Sequence, residues 1–168
     1  NLAAVAGSVL IGNPNTNLLT SFQQLEYIIG LNFYKSAQSY LGIVNIVPGP
    51  IGLFRKSTLL QVGGYSTDTF AEDCDLTIRL LMNHFEVKYN PEMKAYTEAP
   101  IYADALVTQR YRWSRGVVQA IVKNTSYFWG SNTSFRNKVI LLQLIGDSIV
   151  IPLVNYIFAM GTIFFILQ

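Results

Sequence analysis

Cysteine and charge are both scarce in this chain of 168 residues. The single cysteine, Cys74, excludes an internal disulfide framework and a zinc site built from cysteines alone. Charged residues make up 13% of the sequence, against ~25% in an ordinary soluble domain. An apolar fraction of 51% excludes a disordered chain, and a net charge of only +2 argues against a nucleic-acid partner.

Charge is scarcest in the C-terminal part. Between Val139 and Gln168 the only ionisable residue is Asp147, and Ser148–Leu167 is a run of 20 residues without a charge. As a helix this run spans ~30 Å, the thickness of the apolar core of a bilayer. A buried helix of a soluble protein is the alternative. We expect a membrane span, and the basic residues Arg136 and Lys138 before it place the preceding domain in the cytoplasm.

The rest of the chain alternates between strand and helix patterns. Strands are predicted over 3–12, 43–47, 86–89 and 94–98, and helices over 18–40, 73–82 and 104–122. Ser57 is predicted to cap a further short helix that ends at Gly63-Gly64. Five apolar residues recur at steps of three or four on one face of the first helix: Leu18, Phe22, Leu25, Ile29 and Phe33. Thr16 or Asn17 can cap this helix, and Gly42 ends it. The alternation predicts an α/β layered domain.

Three carboxylates, Glu72, Asp73 and Asp75, lie at a predicted helix start. Carboxylates at this end of a helix are stabilised by its dipole, so Asp73 or Asp75 can simply cap the helix. The functional alternative is a general base or a metal ligand. Asp75 is also four residues before Arg79, a spacing that predicts an ion pair on the helix surface.

Gln109, Arg112 and Trp113 are spaced to share one face of the later helix. A guanidinium suits phosphate oxygens, and an indole face suits the C–H face of a sugar ring. Arg110 and Arg115 are predicted to point elsewhere. An amphipathic helix lying on a membrane, with Arg toward headgroups and Trp at the interface, is a compatible alternative.

A glycine-rich bend, which includes Gly49, Pro50 and Gly52, follows the predicted strand 43–47. Such a bend lets a ligand approach the backbone closely, although an ordinary turn is the commoner case. His84 has no His or Cys neighbour in sequence and is not expected to bind a metal. Asn83 is expected to take the left-handed conformation that ends the helix before it.

Taken in order, these motifs resemble those of a known protein family. The resemblance rests on five segments: Gly49–Ser57, Val62–Tyr65, Glu72–Leu80, Thr97–Pro100 and Gln109–Gly116. Over nearly its whole length the chain resembles the processive family 2 glycosyltransferases, the synthases of cellulose, chitin, hyaluronan and bacterial poly-N-acetylglucosamine. The stretch Gln24-Leu25-Glu26-Tyr27 is most similar to the poly-N-acetylglucosamine branch.

The resemblance implies an α/β fold, namely the C-terminal part of a GT-A-type nucleotide-sugar domain (1–103). An amphipathic interface helix with a polar linker (104–138) and a membrane segment (139–168) follow. It implies an inverting transferase that adds a sugar, N-acetylglucosamine on the branch similarity, from a UDP-sugar to a growing β-linked polysaccharide. The enzyme would be a multi-pass protein of the cell membrane with a cytoplasmic catalytic domain.

The resemblance also assigns roles to residues. Asp73 matches the general base, and Glu72 beside it matches a substrate-binding position. Gln109 and Arg112 match the pair that contacts the nucleotide diphosphate, and Trp113 matches the ring at the acceptor site. Three residues of the bend would line the substrate cleft: Gly49, Pro50 and Gly52. Ala71 stands where the family usually has Thr, which leaves both acids in place.

The Asp-x-Asp motif that holds a divalent cation (Mg or Mn) in this family has no counterpart ahead of the Glu72–Asp75 segment, since residues 1–67 contain no aspartate. Its ligands are therefore expected in an N-terminal nucleotide-binding half that the chain lacks, and the first strand is expected on an exposed sheet edge. The implied partners are a UDP-sugar, a polysaccharide acceptor, the lipid bilayer and an accessory membrane subunit. A single-addition glycolipid transferase and a non-catalytic membrane scaffold of the same fold are the alternatives.

Overall fold

The computed structural model describes residues 1–128 and 134–150. Within these residues one sheet has three strands in the order β2–β1–β3. The strand β1 (Leu2–Ile11) pairs antiparallel with β2 (Gly52–Phe54) and parallel with β3 (Glu86–Thr97). The predicted first strand is confirmed. The expectation that it lies on an exposed edge is wrong, because β1 has a partner on each side.

The strand β3 unites two segments that were predicted as separate strands, 86–89 and 94–98. Its register with β1 shifts between Gly7 and Ser8, where the pairing skips Pro91 and the two residues after it. A proline has no N–H to donate to the ladder, so this part of the strand bulges. The interruption in the sequence pattern is therefore a bulge within one strand.

The segment 43–47, predicted as a strand, is irregular. Its valines are buried, as the β-branched pattern indicates. However, helix side chains bind its main-chain groups in place of a neighbouring strand. The ammonium of Lys35 donates to the carbonyl of Ile46 (2.8 Å), and the N–H of Val47 donates to the hydroxyl of Thr77 (3.0 Å).

Helical structure runs from residue 18 to residue 41 through α1 (Leu18–Glu26), a π-helical stretch (Tyr27–Phe33) and α2 (Tyr34–Leu41). Asn17 caps it in a reciprocal pair with Thr20: each side-chain oxygen accepts the other's main-chain N–H, at 2.9 and 3.1 Å. Gly42 ends it in the left-handed conformation, with φ of 71°. The predicted helix and both of its ends are confirmed.

The apolar face of the 18–41 helix points outward. Its members, which we call the apolar stripe, are 54–72% exposed: Leu18, Phe22, Leu25, Ile29 and Phe33. The inward face is polar, and buried Gln23 donates to the carbonyl of Pro100 (2.8 Å). An apolar stripe ordinarily faces the core. Here the inward side joins the domain both by such hydrogen bonds and by Tyr27, which packs in a buried apolar cluster with Val9 and Ile11.

Three further helices are α3 (Lys56–Gln61), α4 (Glu72–Met82) and α5 (Ala103–Lys123). The bounds of α4 and α5 confirm the predictions to within one residue at each end. Ser57 was predicted to cap α3 but lies inside it. The helix begins at Lys56, two residues earlier than a cap at Ser57 implies, and Arg55 occupies the N-cap position without a side-chain bond.

The left-handed residue after α4 is His84 (φ 60°), and the prediction that Asn83 takes this conformation is wrong. The N–H of Asn83 still donates to the carbonyl of Arg79 (3.2 Å), and its side-chain amide donates to the same carbonyl (2.9 Å). Two bonds to one helical carbonyl hold Asn83 in line with the helix. The reversal therefore falls on the next residue.

The core lies between the sheet and α4, with α5 and α7 (Phe135–Ile145) packed behind α4. A short helix, α6 (Thr125–Phe128), leads away from α5, and a π-helical turn (Gly146–Val150) follows α7. The largest buried side chains of the helices are Leu76, Ile78, Leu80, Leu81, Ile140 and Leu144. Since α4 is buried along most of its length, its first turn is held rigidly.

In the part of the chain that the structure describes, no helix combines the length and apolar character needed to cross a membrane. The predicted span Ser148–Leu167 lies outside the described residues from position 151 onward. The division into 1–103, 104–138 and 139–168 stays a prediction.

Candidate active site

Asp73 lies in the first turn of α4, beside the glycine-rich bend. Its Oδ2 accepts the main-chain N–H of Gly49 (3.0 Å), and its Oδ1 accepts the N–H of Cys74 (2.7 Å). Burial raises the pKa of the Asp73 carboxyl above its usual value, and the two N–H bonds only partly offset this rise. The site therefore holds a carboxylate with a raised proton affinity at the edge of the domain.

Helix capping alone does not account for the acids. The N-cap of α4 is Ala71, which makes no side-chain bond, although Asp73 does accept one N–H of the first turn. Glu72 is exposed at the helix start. The side chain of Asp75 is fully buried and bonds away from the helix start.

The carboxylate of Asp75 joins three parts of the fold. It accepts bonds from the hydroxyl of Ser66 (2.7 Å), Nε of Arg79 (2.9 Å), the amide of Asn124 (2.9 Å) and the ammonium of Lys123 (3.3 Å). Burial alone would raise the pKa of Asp75, but the bonds from Ser66 and Asn124 and the charge of Arg79 outweigh it, and its pKa lies below the usual value. The predicted ion pair with Arg79 is confirmed. It is one part of the network of four bonds around the Asp75 carboxylate, which we call the hub.

Arg79 extends this hub to the loop before α4. Its guanidinium donates to the carbonyls of Val62 and Gly64, the latter at 2.6 Å. The loop carries Tyr65, whose pKa is raised by burial and by the carboxylates of Asp73 and Glu72. The phenol of Tyr65 is thus close enough to Asp73 and Glu72 for their charges to affect its ionisation. The sequence offered one sign of it, since Val62–Tyr65 is one of the segments that carry the resemblance.

Of the three residues in the bend, Gly49 is the one that meets Asp73. A Cβ built on Gly49 would lie 3.8 Å from Asp73 Oδ2. Gly52 has a packing role in β2, because a Cβ there would lie 2.5 Å from Cγ1 of Val47. Pro50 is exposed at the tip of the bend.

Gln109 and Arg112 line one open groove on α5, of about 360 Å³, together with Asp104, Ala105 and Thr108. Arg112 is exposed, so its guanidinium can reach a ligand. The side-chain carbonyl of Gln109 is buried and has no hydrogen-bond partner among the described residues. The groove therefore contains the guanidinium of Arg112 and the side-chain amide of Gln109, two groups that can bind a ligand.

The ring of Trp113 is half-buried against the ring of Tyr27, with centroids 6.5 Å apart. The guanidinium of Arg110 lies over the indole at 4.5 Å and pairs with Glu26 (2.7 Å). The prediction that Arg110 points elsewhere is wrong, because three residues back along a helix it is a neighbour of Trp113. Cation–π contact and the ion pair hold it there.

The acid cluster and α5 meet just before Asp73. Gly116 of α5 packs against Ala71, and the guanidinium of Arg115 lies 4.9 Å from the ring centre of Phe70. The N–H of Phe70 also donates to the side chain of Gln119 (3.2 Å). The two motifs singled out in the sequence are therefore joined by direct packing.

A divalent cation does not fit the residues described. Over 1–128 and 134–150, no group of three or more His, Cys, Asp and Glu side chains could hold a metal ion. The acids of α4 are divided between an exposed Glu72, a half-buried Asp73 and an Asp75 occupied by its hub.

The sequence matches the family model described as glycosyl transferase family group 2 over residues 1–167. The chain belongs to this family. The predicted resemblance to family 2 glycosyltransferases is thereby confirmed.

Relatives of this glycosyltransferase include two bacterial synthases. It is 32% identical over 130 residues to a poly-beta-1,6-N-acetyl-D-glucosamine synthase of Staphylococcus epidermidis, covering 77% of the chain and 31% of that protein. It is 30% identical over 123 residues to the synthase of the same name from Staphylococcus aureus strain COL, covering 73% of the chain and 30% of that protein. The chain thus matches about a third of the length of these relatives.

A solved structure shares the fold. A mannosyltransferase from Pyrobaculum calidifontis, in complex with GDP-Man and Mn²⁺, superposes with a TM-score of 0.60 over 97% of this chain and 47% of its own, at 16% identity. The α/β glycosyltransferase fold predicted from the sequence is confirmed. The roles assigned to Asp73, Gln109, Arg112 and Trp113 stay predictions and form part of the proposal below. Substrate binding by Glu72 also stays a prediction.

Proposed function

We propose that this domain is the acceptor-activating part of an inverting, membrane-bound glycosyltransferase. The reaction moves a sugar from a UDP-sugar onto a growing β-linked polysaccharide, and the sugar is N-acetylglucosamine. The observation that carries the proposal is Asp73, a half-buried carboxylate of raised pKa held by the N–H of Gly49 next to α5. The names of the staphylococcal relatives support the choice of sugar and polymer.

In the proposed reaction Asp73 is the general base. The acceptor hydroxyl gives its proton to the carboxylate while its oxygen attacks the anomeric carbon of the donor sugar. The bond from that carbon to the diphosphate oxygen breaks, and UDP leaves on the opposite face. A base with a raised proton affinity is better matched to neutral pH than an ordinary aspartate, and such catalysis contributes typically 10²–10⁴ in rate.

Gln109 and Arg112 bind the diphosphate of the donor from α5. Arg112 is exposed in the groove and can make charge-assisted bonds to phosphate oxygens. Gln109 lines the same groove, and the N–H of its side-chain amide donates to a phosphate oxygen. Trp113 offers the outer part of its ring to the acceptor sugar, while its inner part packs on Tyr27.

The membrane belongs to this proposal for two reasons. The uncharged run Ser148–Leu167 has the length of a bilayer span. The apolar stripe presents five large side chains outward from one helix, and a patch of this kind marks an interaction surface. The ionisable residues of that helix, Glu26 and Lys35, are engaged by Arg110 and by a main-chain carbonyl. A face without free charge suits lipid.

Further parts of the proposal lie beyond the described residues. The catalytic domain would face the cytoplasm, and an accessory membrane subunit would assist export of the polymer. A divalent cation, Mg or Mn, would bind through residues outside this domain, and the Mn²⁺ of the Pyrobaculum mannosyltransferase supports that cation use.

The test is product identification. Membranes that carry the full-length protein are given UDP-N-acetylglucosamine, UDP-glucose or UDP-glucuronate, and the product is analysed for sugar and linkage. We expect a β-linked polymer of N-acetylglucosamine from the first donor alone. A single sugar attached to a lipid would favour the glycolipid transferase, and no transfer from any donor would favour the scaffold.

A further inference from the structure

Lys35 is a buried ammonium that the sequence gives no reason to single out. It lies on α2 with 8% of its surface exposed, on the polar side that faces the domain. Its Nζ donates to the main-chain carbonyl of Ile46 (2.8 Å). Burying a lysine ammonium costs free energy unless a nearby group compensates its charge. The burial of Lys35 therefore needs an explanation.

The carbonyl that Lys35 binds belongs to the segment that leads to Asp73. One residue on, the N–H of Val47 donates to the hydroxyl of Thr77 (3.0 Å), which itself donates to the main-chain carbonyl of Asp73 (2.7 Å). Two residues further, the N–H of Gly49 donates to the Asp73 carboxylate (3.0 Å). The segment 46–49 is thus bound by Lys35 at one end and by Asp73 at the other.

The charge of the Asp73 carboxylate also acts on the Lys35 ammonium. Burial lowers the pKa of Lys35 to about 8, and the negative charge of Asp73 opposes that fall. The other ionisable groups around them are Glu72, the phenol of Tyr65 and the thiol of Cys74. Burial raises the pKa of Cys74 above its usual value, so the thiol is neutral. Because its pKa of about 8 lies above neutral pH, Lys35 carries a positive charge beside these groups at pH 7.

We propose that Lys35 is a positioning residue for the general base: it fixes the segment 46–49 that binds Asp73, and its positive charge favours the ionised carboxylate. This inference rests on the proposed role of Asp73 and adds a residue to it. In this proposal Lys35 acts through Asp73 and contacts neither the donor sugar nor the acceptor sugar.

The experiment compares three variants of the full-length enzyme in membranes. Lys35→Met keeps the length of the side chain and removes its charge, and Lys35→Arg keeps the charge. Lys88→Met is the matched control, because Lys88 also donates to a helix carbonyl, that of Ser39 (3.5 Å), but is exposed on β3. The readouts are kcat and KM for polymer synthesis from pH 5 to 10, UDP affinity and thermal unfolding.

We expect Lys35→Met to lower kcat by about tenfold or more while UDP affinity stays within about twofold. Without the cation, the acid limb of the kcat profile should move up by about half a pH unit or more. The wild-type enzyme should lose activity above about pH 8 as Lys35 loses its proton, and Lys35→Arg should keep activity to higher pH. Lys88→Met should match the wild type throughout.

An acid limb that Lys35→Met leaves in place, or an equal loss of kcat and UDP affinity, would overturn the proposal. If Lys35→Met does not fold, the alkaline limb decides: a limb that stays near pH 8 in Lys35→Arg contradicts the role. A wild-type enzyme that makes no polymer from any UDP-sugar refutes the proposed function instead, so the two failures are distinguishable.

Discussion

Gly116 of α5 packs directly against Ala71, the residue at the start of α4. A Cβ built on Gly116 would lie 2.7 Å from both the Cβ and the main-chain nitrogen of Ala71, a separation that real Cβ atoms do not show. Ala71 immediately precedes Glu72 and Asp73. The glycine therefore sets how closely the helix with Gln109 and Arg112 approaches the proposed base.

Gly116→Ala should push α5 and the first turn of α4 apart. We expect a loss of stability of about 1–3 kcal/mol from overpacking and at least a tenfold loss of polymer synthesis from the displaced base. Gly30→Ala is the matched control, since a Cβ on Gly30 meets nothing within 4 Å. Thermal unfolding and synthesis rates of the full-length protein check both variants. Equal behaviour of the two would show that the close approach is unimportant.

Asp73→Asn keeps the size of the side chain and removes its basicity. Polymer synthesis should fall by about 10²-fold or more, whereas UDP binding should persist because other groups hold the diphosphate. Glu92→Gln is the control, because Glu92 is an exposed acid on β3 without a role in the proposed reaction. If Asp73→Asn keeps more than about a tenth of the wild-type rate, the assignment fails and Glu72 becomes the next candidate.

Arg112→Ala should weaken UDP binding by about 1.5–3 kcal/mol, because a charge-assisted bond to the diphosphate is lost. Arg110→Ala removes the same chemical group from the same helix, but Arg110 is engaged with Glu26 and Trp113, so UDP binding should hardly change. Calorimetric titration with UDP separates the two. Similar losses in both variants would mean that a general positive charge on α5 is what matters.

Trp113→Ala should leave UDP binding nearly intact and reduce polymer formation, because its ring serves the acceptor. The ring also packs on Tyr27, so thermal unfolding is measured alongside activity. Trp113→Phe keeps part of that packing and should recover stability more fully than synthesis. An equal loss of UDP affinity in Trp113→Ala would show that the indole supports the donor site.

Asp75→Asn should destabilise the protein by about 3–5 kcal/mol near neutral pH, because Arg79 and Lys123 lose their buried counter-charge. The pKa of Asp75 is lower in the folded protein than its usual value. Its stabilising contribution is therefore complete above the unfolded pKa and is lost as pH falls through the folded pKa. Unfolding at pH 7 and pH 3 should show the gap between wild type and variant shrinking in acid. A constant gap would indicate a packing effect alone.

Residues that act through near neighbours in sequence could be predicted. The bounds of α4 and α5, the cap at Asn17 and the pair of Asp75 with Arg79 all depend on groups within four positions of each other. The other partners of Asp75 are Ser66, Lys123 and Asn124, the last 49 positions away, and no local pattern indicates them.

Lys35 was missed for a related reason. In a helix sequence, a lysine ordinarily indicates the solvent side, and the apolar stripe indicates the buried side. Here the tertiary structure reverses both expectations, because the domain presents the main-chain carbonyls of Ile46 and Pro100 to the polar side of the helix. The segment 43–47 was misjudged by the same logic: its valines are buried as in a strand, but its N–H and carbonyl groups are bound by side chains.

The pairing of β1 with β3 has a consequence for how the chain folds. Leu2 pairs with Glu86, so 84 positions separate the two strands where their ladder begins. At a synthesis rate of about 5–20 residues per second, roughly 4–17 s pass between their appearance at the ribosome. During that time the edge of β1 that later binds β3 lacks this partner, and among the described residues β2 pairs with three residues of β1 on its other edge. Such long-range parallel pairing folds slowly and exposes strand edges to aggregation. The yield of this domain in a cell should therefore depend on temperature and on chaperones that shield the strand until β3 emerges.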